Sequence, residues 1–136
     1  MGASSGSAKP KSTTDDSEFA KKFSYQRLRE GDGKTFPTAG EKVEVHYRGT
    51  LLDGKQFDSS YDRNRPFEFN VGVGQVIKCW DEVVSRMSLG EKCLVVCPSE
   101  TAYGSRGAGR VIGPNADLRF EIEMLGFGGQ KYRSKQ

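Results

Sequence analysis

The sequence predicts an α+β domain in which one short helix lies across a face of an antiparallel sheet. Two segments alternate apolar and polar residues with period two, two more read as strands, and one segment carries an apolar stripe of helical period.

The clearest strand is EKVEVHYRGTL, with Val43, Val45, Tyr47, Gly49 and Leu51 on one face and Lys42, Glu44, His46, Arg48 and Thr50 on the other. Asp53-Gly54 follows it, a two-residue hairpin signal that predicts a returning strand through Lys55 to Ser59, carrying Phe57 and Asp58. PFEFNV places Phe67 and Phe69 on the same side of a further strand, and KCLVVCPS, bounded by Gly90 and Pro98, reads as another. The last, DLRFEIEML, turns Leu118, Phe120, Ile122 and Met124 inward and Arg119, Glu121 and Glu123 outward. Only VIKCWDEVVSRM reads as helix: Val76, Ile77, Trp80, Val83, Val84 and Met87 form a single stripe, and Gly90 is a stop just beyond.

At 136 residues the chain suits one domain. Residues 1–18 are rich in Ser, Gly, Thr and Lys and carry too little apolar surface to order themselves, so they are expected as a disordered tail. The domain is expected over residues 19–128, with a basic tail over 129–136. The net charge of +3 owes much to Lys131, Arg133 and Lys135 in that tail. No basic stripe interleaved with aromatics occurs elsewhere, and nucleic acid is not an expected partner. The longest uncharged stretch, Phe69 to Ile77, is nine residues, far below the roughly 18 that a membrane-spanning helix requires. The N-terminus lacks the apolar core of an export signal, which makes the cytoplasm the expected location.

Cys79, Cys93 and Cys97 are an odd set in such a chain, and the expectation is buried small apolar residues rather than a disulfide framework. Cys93 and Cys97, four apart on one strand, sit about 13 Å from each other, too far to bridge. No metal-ligand spacing joins them to His46, so neither a metal nor a cofactor is expected. His46 is the single histidine and lies on the polar face of its strand, where a surface or hydrogen-bonded role suits it better than nucleophilic catalysis. GVGQVI and GSRGAGR contain glycines without the context of a phosphate cradle.

What stands out is aromatic material that should converge: Tyr47, Phe57, Phe67, Trp80, Tyr103 and Phe120. Such a set forms either the core or an aromatic pocket open to solvent, because Trp and Tyr carry polar atoms that resist complete burial. The runs GDGKTFPTAGEKVEVHYRGTLLDGKQFDSS, DRNRPFEFNVGVGQVIKCWDE, MSLGEK, TAYGSRG and ADLRFEIEML resemble the FK506-binding protein (FKBP) family of peptidyl-prolyl cis/trans isomerases over residues 23–127. The resemblance implies a five- or six-stranded antiparallel half-barrel wrapped around one short helix; with no large apolar stripe left over once the core is assigned, a monomer is expected. The resemblance also implies binding of X-Pro peptides and of the macrolides tacrolimus and rapamycin in one cleft. By motif position, Tyr47, Phe57, Asp58, Phe67, Val76, Ile77, Trp80, Tyr103, Ile112 and Phe120 would line that cleft. Asp58, Trp80, Tyr103 and Phe120 would carry the catalytic effect, with Trp80 under the proline ring. Arg63 would pair with Asp58, while the Ile77 amide and the Tyr103 hydroxyl would donate to ligand carbonyls.

This chemistry explains the missing nucleophile. Rotation about X-Pro breaks no bond but gives up amide resonance, with a barrier of about 18–20 kcal/mol. A dry aromatic cleft solvates the planar amide's polar carbonyl poorly and so favours the twisted form. Lowering the barrier by about 4 kcal/mol accelerates rotation about a thousandfold.

Two departures from the family pattern matter. The loop after AYG reads Ala108-Gly109-Arg110-Val111-Ile112-Gly113-Pro114 where many members carry His-Pro-Gly and a Pro-Pro pair, which predicts a more flexible and more basic loop. Cys79 replaces a glycine common before the tryptophan and is expected as an accessible thiol near the pocket. The alternative function is a proline-recognising adaptor with weak isomerase activity, engaging a protein through loop 104–114 or the strand 58–66 region.

Overall fold

A computed structural model describes residues 13–128 and 130–131. In chain order the elements are helix α1 (Thr13–Lys22), strands β1 (Gln26–Arg29), β2 (Lys42–Leu51) and β3 (Gln56–Ser59), helix α2 (Ser60–Arg63), strand β4 (Phe67–Asn70), helix α3 (Lys78–Val84), and strands β5 (Lys92–Cys97), β6 (Leu118–Phe127) and β7 (Gln130–Lys131). Short 3-10 turns at Ser99–Thr101 and Gly104–Arg106 connect β5 towards β6. The sheet is antiparallel, in the order β1-β5-β6-β2-β3, with β4 also on β2 and the two-residue β7 on β6.

Its centre is the β2–β6 ladder, running from Val43 opposite Phe127 to Leu51 opposite Leu118. Both strands alternate as their sequences demand: Val43, Val45, Tyr47 and Gly49 are buried, as are Leu118, Phe120, Ile122 and Met124. Helix α3 lies on that inner face and buries Cys79, Trp80, Val83 and Val84. No helix among the described residues is long and apolar enough to cross a membrane.

Several expectations need correction. The helical stripe over Val76–Met87 becomes a helix only at Lys78, because Ile77 is extended (φ −60°, ψ 152°). The Asp81 carboxylate accepts the N–H groups of Gly72 and Gly74 at 2.8 and 2.9 Å and holds the preceding segment away from the helix axis. The helix is not the only one. Ser59 caps α2 by accepting the Asp62 N–H, and α1 begins at Thr13, inside the stretch expected to stay disordered. The rest of that tail, residues 1–12, lies outside the described residues, as do Gly129 and residues 132–136 of the basic tail. The chain entering the domain is held by burial of Phe23, whose carbonyl accepts the Val96 N–H at 2.8 Å.

The cysteines are the largest departure. Cys79 and Cys97 form a disulfide with Cα atoms 5.7 Å apart, and Cys93 alone is free and buried. Cys79 is therefore no accessible thiol: it is fully buried and ties α3 to β5. Strand spacing excludes Cys93–Cys97, but the pair that forms spans 18 residues and is created by docking the helix on the sheet.

Two consequences are measurable. Thiol titration of the unreduced, denatured protein should count one thiol, from Cys93, whereas three would contradict the bridge. Replacing both bridged residues in a Cys79→Ala/Cys97→Ala variant should cost about 3 kcal/mol in chemical denaturation, the loss expected for a loop of this size.

Candidate functional site

Strands β2, β3, β4 and β6, helix α3 and two connecting segments contribute side chains to one cleft of about 310 Å³. Tyr47 comes from β2, Phe57 and Asp58 from β3, Phe67 from β4, and Phe120 from β6. Gln75, Val76 and Ile77 come from the extended segment before α3, Trp80 from α3 itself, and Tyr103 from the link between the two 3-10 turns.

Trp80 is the floor. Tyr47, Phe67 and Phe120 meet it edge to face, with ring centroids at 4.8, 5.9 and 5.3 Å and interplanar angles of 79°, 77° and 83°. Phe69 closes the underside at 5.7 Å. These geometries place the positive edge of one ring on the negative face of another. The indole Nε1 is buried without a partner among the described residues, so the floor is apolar and carries one unpaired donor. Gly49 allows the rings to close above it. A Cβ there would lie 2.7 Å from Phe57 Cζ and 2.8 Å from Phe120 Cε1.

At the edge stands a polar cluster. Tyr47 Oη donates to Asp58 Oδ2, Arg63 Nη1 donates to Asp58 Oδ1 at 2.5 Å, and Arg63 Nη2 donates to Tyr47 Oη at 3.0 Å. The Ser59 N–H also donates to Asp58 Oδ1, at 2.9 Å. Burial alone would push the Asp58 carboxyl up, but hydrogen bonds from Tyr47 and Arg63 and the guanidinium charge outweigh it and hold the group below its usual range. Burial, and then the bond to Asp58, push the Tyr47 hydroxyl up. Burial raises Tyr103 too, with the Asp58 charge as the second cause. The cleft thus holds an ionised, fully engaged carboxylate and two protonated phenols, which orient neighbours and shuttle no proton.

Of the ten residues that the family resemblance assigns to the cleft, nine line it. Ile112 does not. It is buried in the core, where its carbonyl accepts the Ala108 N–H at 2.8 Å. Gln75 lines the wall unforeseen, and its Oε1 accepts the Asn70 N–H at 2.7 Å. Its place directly before Val76 in GQVIKCW was the available signal. The Ile77 N–H donates to nothing among the described residues, whereas its carbonyl starts the helix by accepting from Trp80 and Asp81. His46 sits outside the cleft, its Nδ1 2.7 Å from Ser60 Oγ and its ring stacked on Tyr61 at 4.6 Å.

Comparison with known proteins gives a family and several relatives. Residues 33–125 match the model of a family described as FKBP-type peptidyl-prolyl cis-trans isomerase. The chain is 54% identical over 95 residues to a peptidyl-prolyl cis-trans isomerase Fkbp12 of Drosophila melanogaster, covering 70% of this chain and 88% of that protein. It is 54% identical over 100 residues to FK506-binding protein 1A of Emericella nidulans, covering 74% and 93%. FK506-binding protein 1 of Saccharomyces cerevisiae is 50% identical over 99 residues, covering 73% and 87%.

Gly49→Ala should destabilise the fold by about 1–3 kcal/mol, the range for overpacking, and shift the near-ultraviolet spectrum of the aromatic cluster. Acid should discriminate Asp58→Asn. Because the folded-state pKa of Asp58 is depressed, its contribution is present above the unfolded value of 3.8 and lost as pH falls through the lower folded value. Urea midpoints between about pH 5 and pH 2 should fall more steeply for the native protein than for the variant. Parallel curves would mean that the cluster adds nothing to stability.

Proposed function

The chain belongs to the FKBP-type peptidyl-prolyl cis-trans isomerases, and from that membership we propose that the aromatic cleft over Trp80 is where it turns X-Pro bonds. The carrying observation is the floor itself: a tryptophan boxed edge-on by Tyr47, Phe67 and Phe120 presents a flat apolar face the size of a proline ring.

A proline seated on Trp80 brings its preceding amide against ring edges and away from water. The planar amide, with charge drawn to its carbonyl oxygen, loses solvation there more than the twisted amide does. The Ile77 N–H and the Tyr103 hydroxyl are the donors offered to substrate carbonyls on either side of the ring. Phe120 and Phe57, in edge contact at 5.7 Å, give the wall against which the residue before proline rotates. Asp58 acts by position: it fixes Tyr47 and Arg63 so that the wall is rigid before substrate arrives.

The same cleft would take rapamycin and also tacrolimus (FK506), the ligand that the names of the relatives give for those proteins. The isomerase domain is assigned to residues 19–128 and is taken to act as a monomer. Of its exposed large apolar residues, Leu28 is on β1, Leu52 and Val73 are in separate turns, and Tyr103 and Val111 are in the connection from β5 to β6. We place it in the cytoplasm, where full burial keeps the Cys79–Cys97 bridge from small thiols.

Trp80 is the single tryptophan and reports on its own site. Rapamycin should change its fluorescence saturably and abolish isomerisation of a Leu-Pro peptide. Trp80→Ala, shown to be folded by circular dichroism, should lower kcat/KM by about tenfold or more. Turnover that rapamycin leaves intact, or undiminished turnover in the variant, would move the site elsewhere.

A further inference from the structure

Charged groups around the cleft are unevenly engaged. Asp58 is neutralised by Arg63 and also accepts from Tyr47 and Ser59, Asp62 accepts from Gln56 Nε2 at 2.7 Å, and Asp81 accepts from the Gly72 and Gly74 N–H groups, while Glu100, three residues before Tyr103, is exposed without an ion pair among the described residues. Four cations next to lining residues have no such counterpart. Arg65 precedes Phe67 by two residues, Lys78 directly follows Ile77, and Arg106 and Arg110 lie three and seven residues after Tyr103. All four are exposed, and none makes an ion pair among the described residues.

The loop that carries the two arginines is anchored, not loose. The Gly107 N–H donates to the Tyr103 carbonyl at 3.1 Å, Ala108 and Ile112 exchange backbone hydrogen bonds at 2.8 and 3.2 Å, and the Asn115 N–H donates to the Gly104 carbonyl at 2.8 Å. Gly107 is at φ 69°, and a Cβ there would lie 2.3 Å from the Ile112 carbonyl oxygen, so the turn closes only with glycine. Buried Ile112 pins the return of the loop. Arg106 and Arg110 are thereby held on one short excursion that starts at a cleft residue. Next to a low-dielectric aromatic wall, unpaired cations raise the local concentration of anionic partners and select among them.

Resting on the isomerase reading, we infer that this rim makes the cleft prefer X-Pro segments flanked by Asp or Glu. Proline fills the aromatic floor, and the flanking carboxylates meet Arg65, Lys78, Arg106 and Arg110.

The test compares three peptides with one Leu-Pro core flanked by Glu, by Lys or by Gln. At low ionic strength kcat/KM for the Glu peptide should exceed that for the Lys peptide by about fivefold or more, shrinking to about twofold or less at about 0.5 M salt, where screening acts within a few ångströms. The quadruple variant Arg65→Gln/Lys78→Gln/Arg106→Gln/Arg110→Gln should lose most of the difference and keep the native rate on the Gln peptide. Equal rates on the Glu and Lys peptides, with the Gln peptide turned over, overturn the rim preference and leave the isomerase standing. A difference that survives in the quadruple variant overturns its assignment to these cations. No turnover of any of the three overturns both.

Discussion

The edge-to-face contacts of Trp80 hold the molecule's parts in register with its chemistry. Four rings from three strands meet one indole on a two-turn helix, and that indole is at once the centre of the core and the floor of the cleft. Core and site share the same atoms. A helix of seven residues has little stability of its own, so its position depends on what it buries and on the disulfide that fastens it to β5.

Around this apolar centre the polar groups are arranged to be inert. Asp58, the one carboxylate on the wall, has its lone pairs taken up by Tyr47, Arg63 and Ser59. A second engaged carboxylate, the almost fully buried Glu91, accepts from Tyr25, Arg27 and Ser88 and clamps the chain around β1 to the far edge of the sheet. At Asp58, held ionised by these donors, no proton is ready for transfer. That suits a reaction whose difficulty is a conformational barrier and not a bond to be broken.

The parts of the fold governed by period-two burial were legible from residues alone. Val43 to Gly49 and Leu118 to Met124 fall on the face their alternation predicts, and Asp53-Gly54 turns the chain where such a pair should. β1 escaped because QRLR is an exposed edge whose role is backbone pairing and whose side chains show no alternation. The start of α3 escaped because its position is set by Asp81 reaching back nine residues, a contact no helical stripe encodes. Cleft residues were recognisable as aromatics, yet whether they made core or pocket was open, and the structure shows why: Trp80 does both. The Cys79–Cys97 bridge and the displacement of Ile112 into the core depend on tertiary docking, which spacing along the chain does not contain.

The central ladder pairs residues far apart in the chain: Val43 with Phe127 and Leu51 with Leu118. Such separation places the entropy of closing a long loop ahead of any reward from the contacts, so folding belongs to the slower, millisecond-to-second class of small domains. It also sets an order of events during synthesis. While β6 is still inside the ribosome, β2 has no partner on that side, Phe120 is missing from the floor, and a polypeptide already carrying β2, α3 and Trp80 has no working cleft. The cleft is therefore complete only once β6 has paired with β2.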